Sequence, residues 1–300
     1  MKPKVFVVMP VHDRLKFTKR CLGDLGRQKY KDLEIIVIDD GSTDGTFEYI
    51  RRYQPQVHLI RGDGNLWWSR AVYLGIEYAL AGARDKDYIL LMNNDCFFGS
   101  ELVEQLVRTA RKHPRALIGS LCTTTTKPER VVEAGIRINW PKGVIQSVAE
   151  TMSTDPKRYR KTSVIDQLDA LPGKGTLVPV GGIRKFGTIN YKRLPHYIAD
   201  YEFSNRAKRA GYQLLVDVHA RIKHVWEATG YKPDTYKGVS GCREAWVALF
   251  DRRSMMNIID WCNFLLLACP GEYRLRNFYI TFLKIVRGAT QLLFKSRSKR

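Results

Sequence analysis

The chain has 300 residues, enough to bury the core of one large domain or of a domain with an appendage. At 44% hydrophobic and 27% charged it is a folding composition, which excludes extensive disorder away from the ends. The net charge of +20 points to an anionic partner, either nucleic acid, an anionic membrane or a phosphorylated substrate, unless it is only a basic skin.

A strand is predicted at Val5–Met9, followed by a helix from Leu15 to Leu25. The pattern repeats at Leu33–Ile38 with Thr46–Tyr53, at Val57–Ile60 with Trp68–Leu80, and at Tyr88–Met92 with Leu102–Arg111. Short continuous apolar runs between amphipathic helices are the signature of buried parallel strands in βαβ units. The fold class is therefore α/β with right-handed crossovers.

Polar, turn-forming residues follow each of these strands: Pro10-Val11-His12-Asp13, Asp39-Asp40-Gly41-Ser42, Gly62-Asp63-Gly64-Asn65 and Asn93-Asn94-Asp95. That edge of an open α/β sheet is where ligands bind. Ser42-Thr43-Asp44 before Thr46 also reads as a helix cap.

The middle is less regular. Strands are predicted at Leu117–Cys122, Val131–Ile138, Thr176–Val180, Tyr212–Val216 and Ile222–His224. Thr151–Ser163 is polar and reads as a surface loop, and Gly181-Gly182 reads as punctuation after a strand. Asp200 opens a helix that runs to Ala210 and ends at Gly211. Three helical stretches close the chain, at Gly241–Phe250, Met255–Ala268 and Tyr273–Phe294.

In the last of these, Phe278, Phe282, Ile285, Ala289, Leu292 and Leu293 share a face, and from Arg274 onward there are eight basic residues and no acidic one. Such a helix either packs on the domain or lies on an anionic membrane. No apolar run reaches the ~20 residues of a membrane span, and no secretory signal precedes the first strand. The six cysteines form no CxxC pair and read as reduced thiols of a cytosolic protein. No zinc pattern, basic zipper or RNP-like strand supports nucleic-acid binding, so none is expected.

Carboxylates at the sheet edge suit a nucleotide with a divalent cation, because Mg²⁺ or Mn²⁺ typically bridges one or two carboxylates to diphosphate oxygens. Asp39-Asp40 and Asp95 are the candidates, although Asp39-Asp40 before Gly41 also suits a turn. A sugar nucleotidyltransferase would use a similar sheet, but its Gly-rich loop is missing from Pro10-Val11-His12-Asp13-Arg14.

Pro10-Val11, Asp39 through Thr46, Asn65 through Gly75-Ile76, Asn93-Asn94-Asp95 and Asp200-Tyr201-Glu202-Phe203 resemble, in order and spacing, the family-2 inverting glycosyltransferases, some segments being rhamnosyltransferase-like. The resemblance covers roughly residues 3 to 230. It implies an A-type glycosyltransferase fold, a mostly parallel Rossmann-like sheet flanked by helices, with a helical C-terminal extension. The domain division it implies is 1–230, with halves 1–116 and 117–230, and an extension over 231–300.

The roles it implies follow residue by residue. Pro10, Val11 and Asn65 line the nucleotide, Asp40 accepts a hydrogen bond from the base, and Asn94 bonds a ribose hydroxyl. Asp95 holds Mn²⁺ or Mg²⁺, with His224 as a possible second ligand. Asp200 is the catalytic base, at a position that also suits a helix cap. Apart from the resemblance, the chemistry of a leaving diphosphate makes Arg70 a candidate cation to assist it. Two departures stand out. The metal triplet carries one carboxylate, and Trp67 and Tyr73 replace a glycine and an asparagine. Trp67-Trp68 is then either a sugar-stacking platform or core.

The expected activity is metal-dependent transfer of a sugar from a UDP- or dTDP-sugar to a glycan or lipid-linked acceptor of cell-surface polysaccharide. The expected place is the cytoplasm, at the inner membrane face through residues 272–300.

Overall fold

The computed structural model describes residues 2–225 and 242–297. The first half alternates strand and helix: β1 (Val5–Val11), α1 (Leu15–Gly26), β2 (Leu33–Asp39), α2 (Thr46–Tyr53), β3 (His58–Arg61), α3 (Trp67–Gly82), β4 (Tyr88–Leu91), a short β5 (Cys96–Phe98) and α4 (Leu102–Lys112). Then come β6 (Ala116–Thr124), β7 (Val131–Glu133), β8 (Ile136–Asn139), β9 (Val144–Ser147), α5 (Val148–Met152), β10 (Val164–Ile165), β11 (Thr176–Pro179), α6 (Val180–Phe186), α7 (Ala199–Arg209) and β12 (Gln213–His224). Three helices follow: α8 (Cys242–Phe250), α9 (Ile258–Ala268) and α10 (Gly271–Arg297).

The main sheet runs β10-β12-β6-β11-β4-β1-β2-β3. β3, β2, β1 and β4 are mutually parallel, and β6 runs parallel to β12. Between these two groups β11 lies antiparallel to both β4 and β6. The carboxyl ends of β1, β2, β4, β6 and β12 therefore share one edge, and the chain entering β11 arrives at that same edge.

Both faces of the sheet are covered, which is why its strands read as continuous apolar runs. Phe6, Val8, Ile36, Ile38, Ile89 and Leu91 point into one core, and Val5, Val7, Met9, Val37 and Leu90 into the other. The alternation follows the two-residue period of a strand. Each fully buried Ile or Leu contributes about 1.5–3 kcal/mol.

Four expectations change. Val131–Ile138 is not one strand, because Gly135 adopts φ 92 and breaks it into β7 and β8. Gly181-Gly182 lies inside α6, where a side chain at Gly182 would meet Phe186 at 2.9 Å. The polar stretch after Thr151 carries a helical turn, Pro156–Tyr159, that buries Tyr159. Tyr212–Val216 and Ile222–His224 join into one long strand, β12, with an irregularity between Asp217 and Arg221.

The C-terminal helices are not a detached tail. Phe264, Leu265 and Ala268 of α9, with Cys269 just after it, belong to the same core as the sheet, and Phe278 of α10 packs against it. Asn277 Nδ2 donates to the Trp140 carbonyl, 2.8 Å away, and Lys284 Nζ to that of Gly143 at 3.0 Å. The expected start of the first closing helix at Gly241 lies outside the described residues, as do the side chains of Ala289, Leu292 and Leu293.

Candidate active site

The loops after β1 and β2 are fastened to each other. Asp13 accepts from the Thr43 N–H at 2.8 Å and its own N–H donates to Ser42 Oγ at 2.7 Å. Asp44 accepts from the first residues of two helices, Leu15 at 2.7 Å and Thr46 at 3.1 Å, so the predicted cap serves α1 as well as α2. Gly41, at φ 69, lets the loop after β2 approach the loop after β3; a side chain there would sit 2.9 Å from the Gly64 nitrogen.

Asp40 has a larger structural part than expected. Its Oδ1 accepts from Gly64 and Leu66 at 2.9 and 3.0 Å, and its Oδ2 from Trp67 at 2.9 Å. Those bonds anchor the loop that begins α3. A carboxylate has about four lone-pair sites, so about one, on Oδ2, is left for a ligand. Val11 is buried and its carbonyl accepts from the Asp40 N–H, while Pro10 is half-buried and Asn65 exposed beside them. Arg70 is exposed on the first turn of α3.

In the triplet after β4, Asn94, expected at a ribose hydroxyl, is buried, and its Nδ2 donates to Thr18 Oγ1 of α1 at 3.0 Å. Asn93 meets Trp68 and Asp95 meets Arg14 and His224, whereas Asn94 faces α1. Asn93 Oδ1 accepts from the Trp68 indole at 3.0 Å.

Trp68 is the wall between the two halves of the site. Its ring packs against the core and against Gly173, whose N–H donates to Asp200 Oδ2 at 2.7 Å. Asp200 is the second residue of α7 rather than its cap, since Ile198 holds the cap position. The stacking-platform and core readings of the tryptophan pair are thus divided. Trp68 is a packed wall, whereas Trp67 touches the His196 edge, with Arg252 over its ring at 5.8 Å. Trp67 stands where the resembled pattern has glycine, and its backbone keeps the left-handed φ of 57 that glycine favours.

Gly173→Ala tests the wall. The new Cβ would lie 2.4 Å from Trp68 Cζ2, so the indole has to shift and its bond to Asn93 is lost. We expect turnover to fall at least ~10-fold with a change of about 1–3 kcal/mol in stability, measured by kinetics and urea unfolding. Unchanged kinetics with a folded variant would remove Trp68 from the site.

Asp95 is the electrostatic centre. Its Oδ2 is 3.0 Å from Arg14 Nη1 and 3.4 Å from His224 Nε2. Burial pushes its carboxyl up, but the hydrogen bond and charge of His224, then Arg14 and Lys174, hold it below the ordinary range. His224 Nε2 stands beside Asp95 Oδ2, and no cluster of three or more His, Cys, Asp and Glu forms among the described residues. Such a two-ligand set fits a cation that takes its other ligands from phosphate oxygens and water.

Asp200 differs. Burial pushes it up to about 6 against the Gly173 N–H; Glu133 adds to the rise, and Tyr201 and Lys174 oppose it. A carboxyl near 6 is matched to accepting a proton at neutral pH.

Four residues without an expected role also stand here: Asn93, Arg14, Glu133 and Lys174. Lys174 enters β11 between two glycines and pairs with Glu133 Oε1 at 3.1 Å, with the side chains only 11% and 18% exposed. The flanking glycines were a signal for Lys174; Glu133 had none, because only the pairing of β7 on β6 brings it here.

Residues 6–164, more than half of the chain, match the family described as Glycosyl transferase family 2. Glycosyltransferase GlyA of Streptococcus pneumoniae serotype 4 is 27% identical over 113 residues, 35% of this chain but 15% of that protein. The N-acetylglucosaminyl-diphospho-decaprenol L-rhamnosyltransferase of Mycobacterium tuberculosis H37Rv is 22% identical over 256 residues, 79% of this chain and 80% of that one. Among solved structures, GalNAc-T7 with UDP, GalNAc and Mn²⁺ superposes with a TM-score of 0.61 at 17% identity, over 97% of this chain and 58% of that one. The fold is the A-type glycosyltransferase fold, and the chain belongs to glycosyl transferase family 2.

Proposed function

We propose that this enzyme transfers a sugar from a UDP- or dTDP-sugar to a hydroxyl of a glycan or lipid-linked acceptor, with inversion, in cell-surface polysaccharide synthesis. One observation carries the reading. Trp68 donates to Asn93, two residues before Asp95, and packs on Gly173, whose N–H donates to Asp200, so one indole links the two segments that carry the carboxylates needed for a single displacement.

Asp200 takes the proton of the acceptor hydroxyl as that oxygen bonds to the anomeric carbon. The bond from that carbon to the nucleoside diphosphate breaks, and the diphosphate leaves. Asp95 and His224 would hold Mn²⁺ or Mg²⁺, which supplies Lewis-acid stabilisation of the leaving group when bound. The remaining lone pair of Asp40 suits the N3–H of uracil or thymine, and Pro10, Val11 and Asn65 border the same place. Arg70 is the cation of α3 nearest in sequence to that loop. The mycobacterial relative, whose name specifies a diphospho-decaprenol, supports a lipid-linked acceptor.

The test is a donor panel with Mn²⁺ or Mg²⁺, scoring thermal protection and then the anomeric configuration of the product by NMR. Failure of UDP-, dTDP- and GDP-sugars alike would sink the donor assignment, and a retained configuration would sink inversion.

The acceptor reading implies a place at the cytoplasmic membrane face. Among the described residues no helix is long and apolar enough to cross a membrane. On α10, Leu275, Tyr279, Phe282, Leu283 and Val286 are 87%, 65%, 53%, 47% and 40% exposed and share one face, beside exposed Arg276 and Arg287. This differs from the face expected from periodicity: Ile285 is buried and Phe278 packs on the core. Removing residues 272–300 would therefore also remove packing. Replacing Leu275, Tyr279 and Phe282 together by Asp keeps the packed face and should abolish flotation with liposomes containing anionic lipid. Flotation equal to wild type would exclude this surface.

A further inference from the structure

The guanidinium of Arg14 and the imidazole of His224 meet on a single atom, Asp95 Oδ2, at 3.0 and 3.4 Å. Oδ2 is the Asp95 oxygen beside His224, where a divalent cation shared by the two would be held, and a guanidinium on the same oxygen opposes it by charge. The Arg14 side chain is 37% exposed and that of Asp95 3%, so the arginine is the partner with freedom to leave.

Its backbone is held. Asp13 and Arg14 have φ of 54 and 65, left-handed for non-glycine residues. The neighbours on both sides are bonded into the loop after β2, Asp13 through Ser42 and Thr43, and Leu15 through Asp44. Strained backbone that its surroundings enforce is a mark of functional positions. Here the enforced turn aims a long cationic side chain at the one carboxylate of the metal triplet.

We propose that Arg14 is a resident counter-cation of Asp95 that gives way only when the divalent metal arrives together with the nucleotide. The inference rests on the donor reading above. Without nucleotide, the metal must displace the arginine and gains only two protein ligands. With a nucleoside diphosphate present, the metal gains phosphate oxygens, and the displaced guanidinium gains an anion that it binds in a forked geometry. Metal and nucleotide therefore strengthen each other's binding, and the coupling is reciprocal.

The experiment measures Mn²⁺ affinity of the full chain from the EPR signal of free Mn²⁺, alone and with UDP, dTDP or GDP. Wild type should bind Mn²⁺ weakly alone and at least ~10-fold more tightly with one of these nucleotides. Arg14→Gln should bind Mn²⁺ alone about 10-fold more tightly than wild type, with a smaller gain on adding nucleotide. Arg14→Lys, which keeps the charge, should stay near wild type. Circular dichroism confirms that each variant is folded. Equal Mn²⁺ affinity of wild type and Arg14→Gln without nucleotide overturns the proposal. If no nucleotide binds either protein with Mn²⁺, the donor reading itself fails.

Discussion

Asp95→Ala should abolish sugar transfer, with turnover reduced at least ~10³-fold, while the protein stays folded. The size follows from the chemistry. A metal that stabilises a leaving diphosphate is worth several kcal/mol of transition-state energy, and Asp95 is the only carboxylate in its triplet. His224 alone is a poor seat for a hard cation. The fold should survive, because the charge left behind belongs to Arg14, whose side chain is 37% exposed and can turn to water. The loss in stability should be about 1–3 kcal/mol, that of a broken buried polar contact. Asp95→Asn separates shape from charge: it should lose Mn²⁺ binding while its melting temperature stays closer to wild type. Turnover above about a tenth of wild type in Asp95→Ala would place the metal elsewhere or make it dispensable.

Half of this site could be read before the fold was known. Asp40, Asn93, Asp95 and His224 all follow or end strands, and parallel strands covered on both faces announce themselves as apolar runs. A carboxyl edge can thus be located from sequence, and with it the polar residues that crowd it. Lys174 and Glu133 could not be read in this way. They meet because β11 runs back against β4 and β6, and because Gly135 lets the chain turn after β7. The glycines beside Lys174 mark a turn, but no local pattern encodes the pairings of β11 and β7 that bring the two residues together.

The direction of a side chain was harder to read than its place. Asn94 and Asp95 are neighbours with the same credentials, but one bonds Thr18 under α1 while the other meets His224 and Arg14. The C-terminal helix shows the same ambiguity. Its apolar residues are abundant enough to form two faces, and periodicity alone does not say that Ile285 is inside while Phe282 is outside. Trp67 shows the reverse. The side chain departs from the resembled pattern, yet its φ of 57 shows that the backbone shape persists.

Asp200→Asn should lower turnover by ~10²–10⁴-fold, the usual range for a lost general base. The expected pH profile follows from the environment of the carboxyl. Burial pushes it up to about 6, so below that pH it carries the proton that it would need to accept. Wild-type turnover should therefore rise as pH increases through about 6 and level off above it. Asp200→Asn should lack this acid limb, because the amide does not titrate. The variant should stay folded with a modest loss of stability, since an amide oxygen can still accept from the Gly173 N–H at 2.7 Å while the NH2 replaces the oxygen that accepts from Tyr201. Persistence of the limb in the variant would assign the titration to another group. The same protein also separates the two carboxylates. Asp200→Asn should bind Mn²⁺ with nucleotide as wild type does, whereas Asp95→Ala should not. If both variants lose Mn²⁺ binding, Asp200 is part of the metal seat and the base must be sought elsewhere.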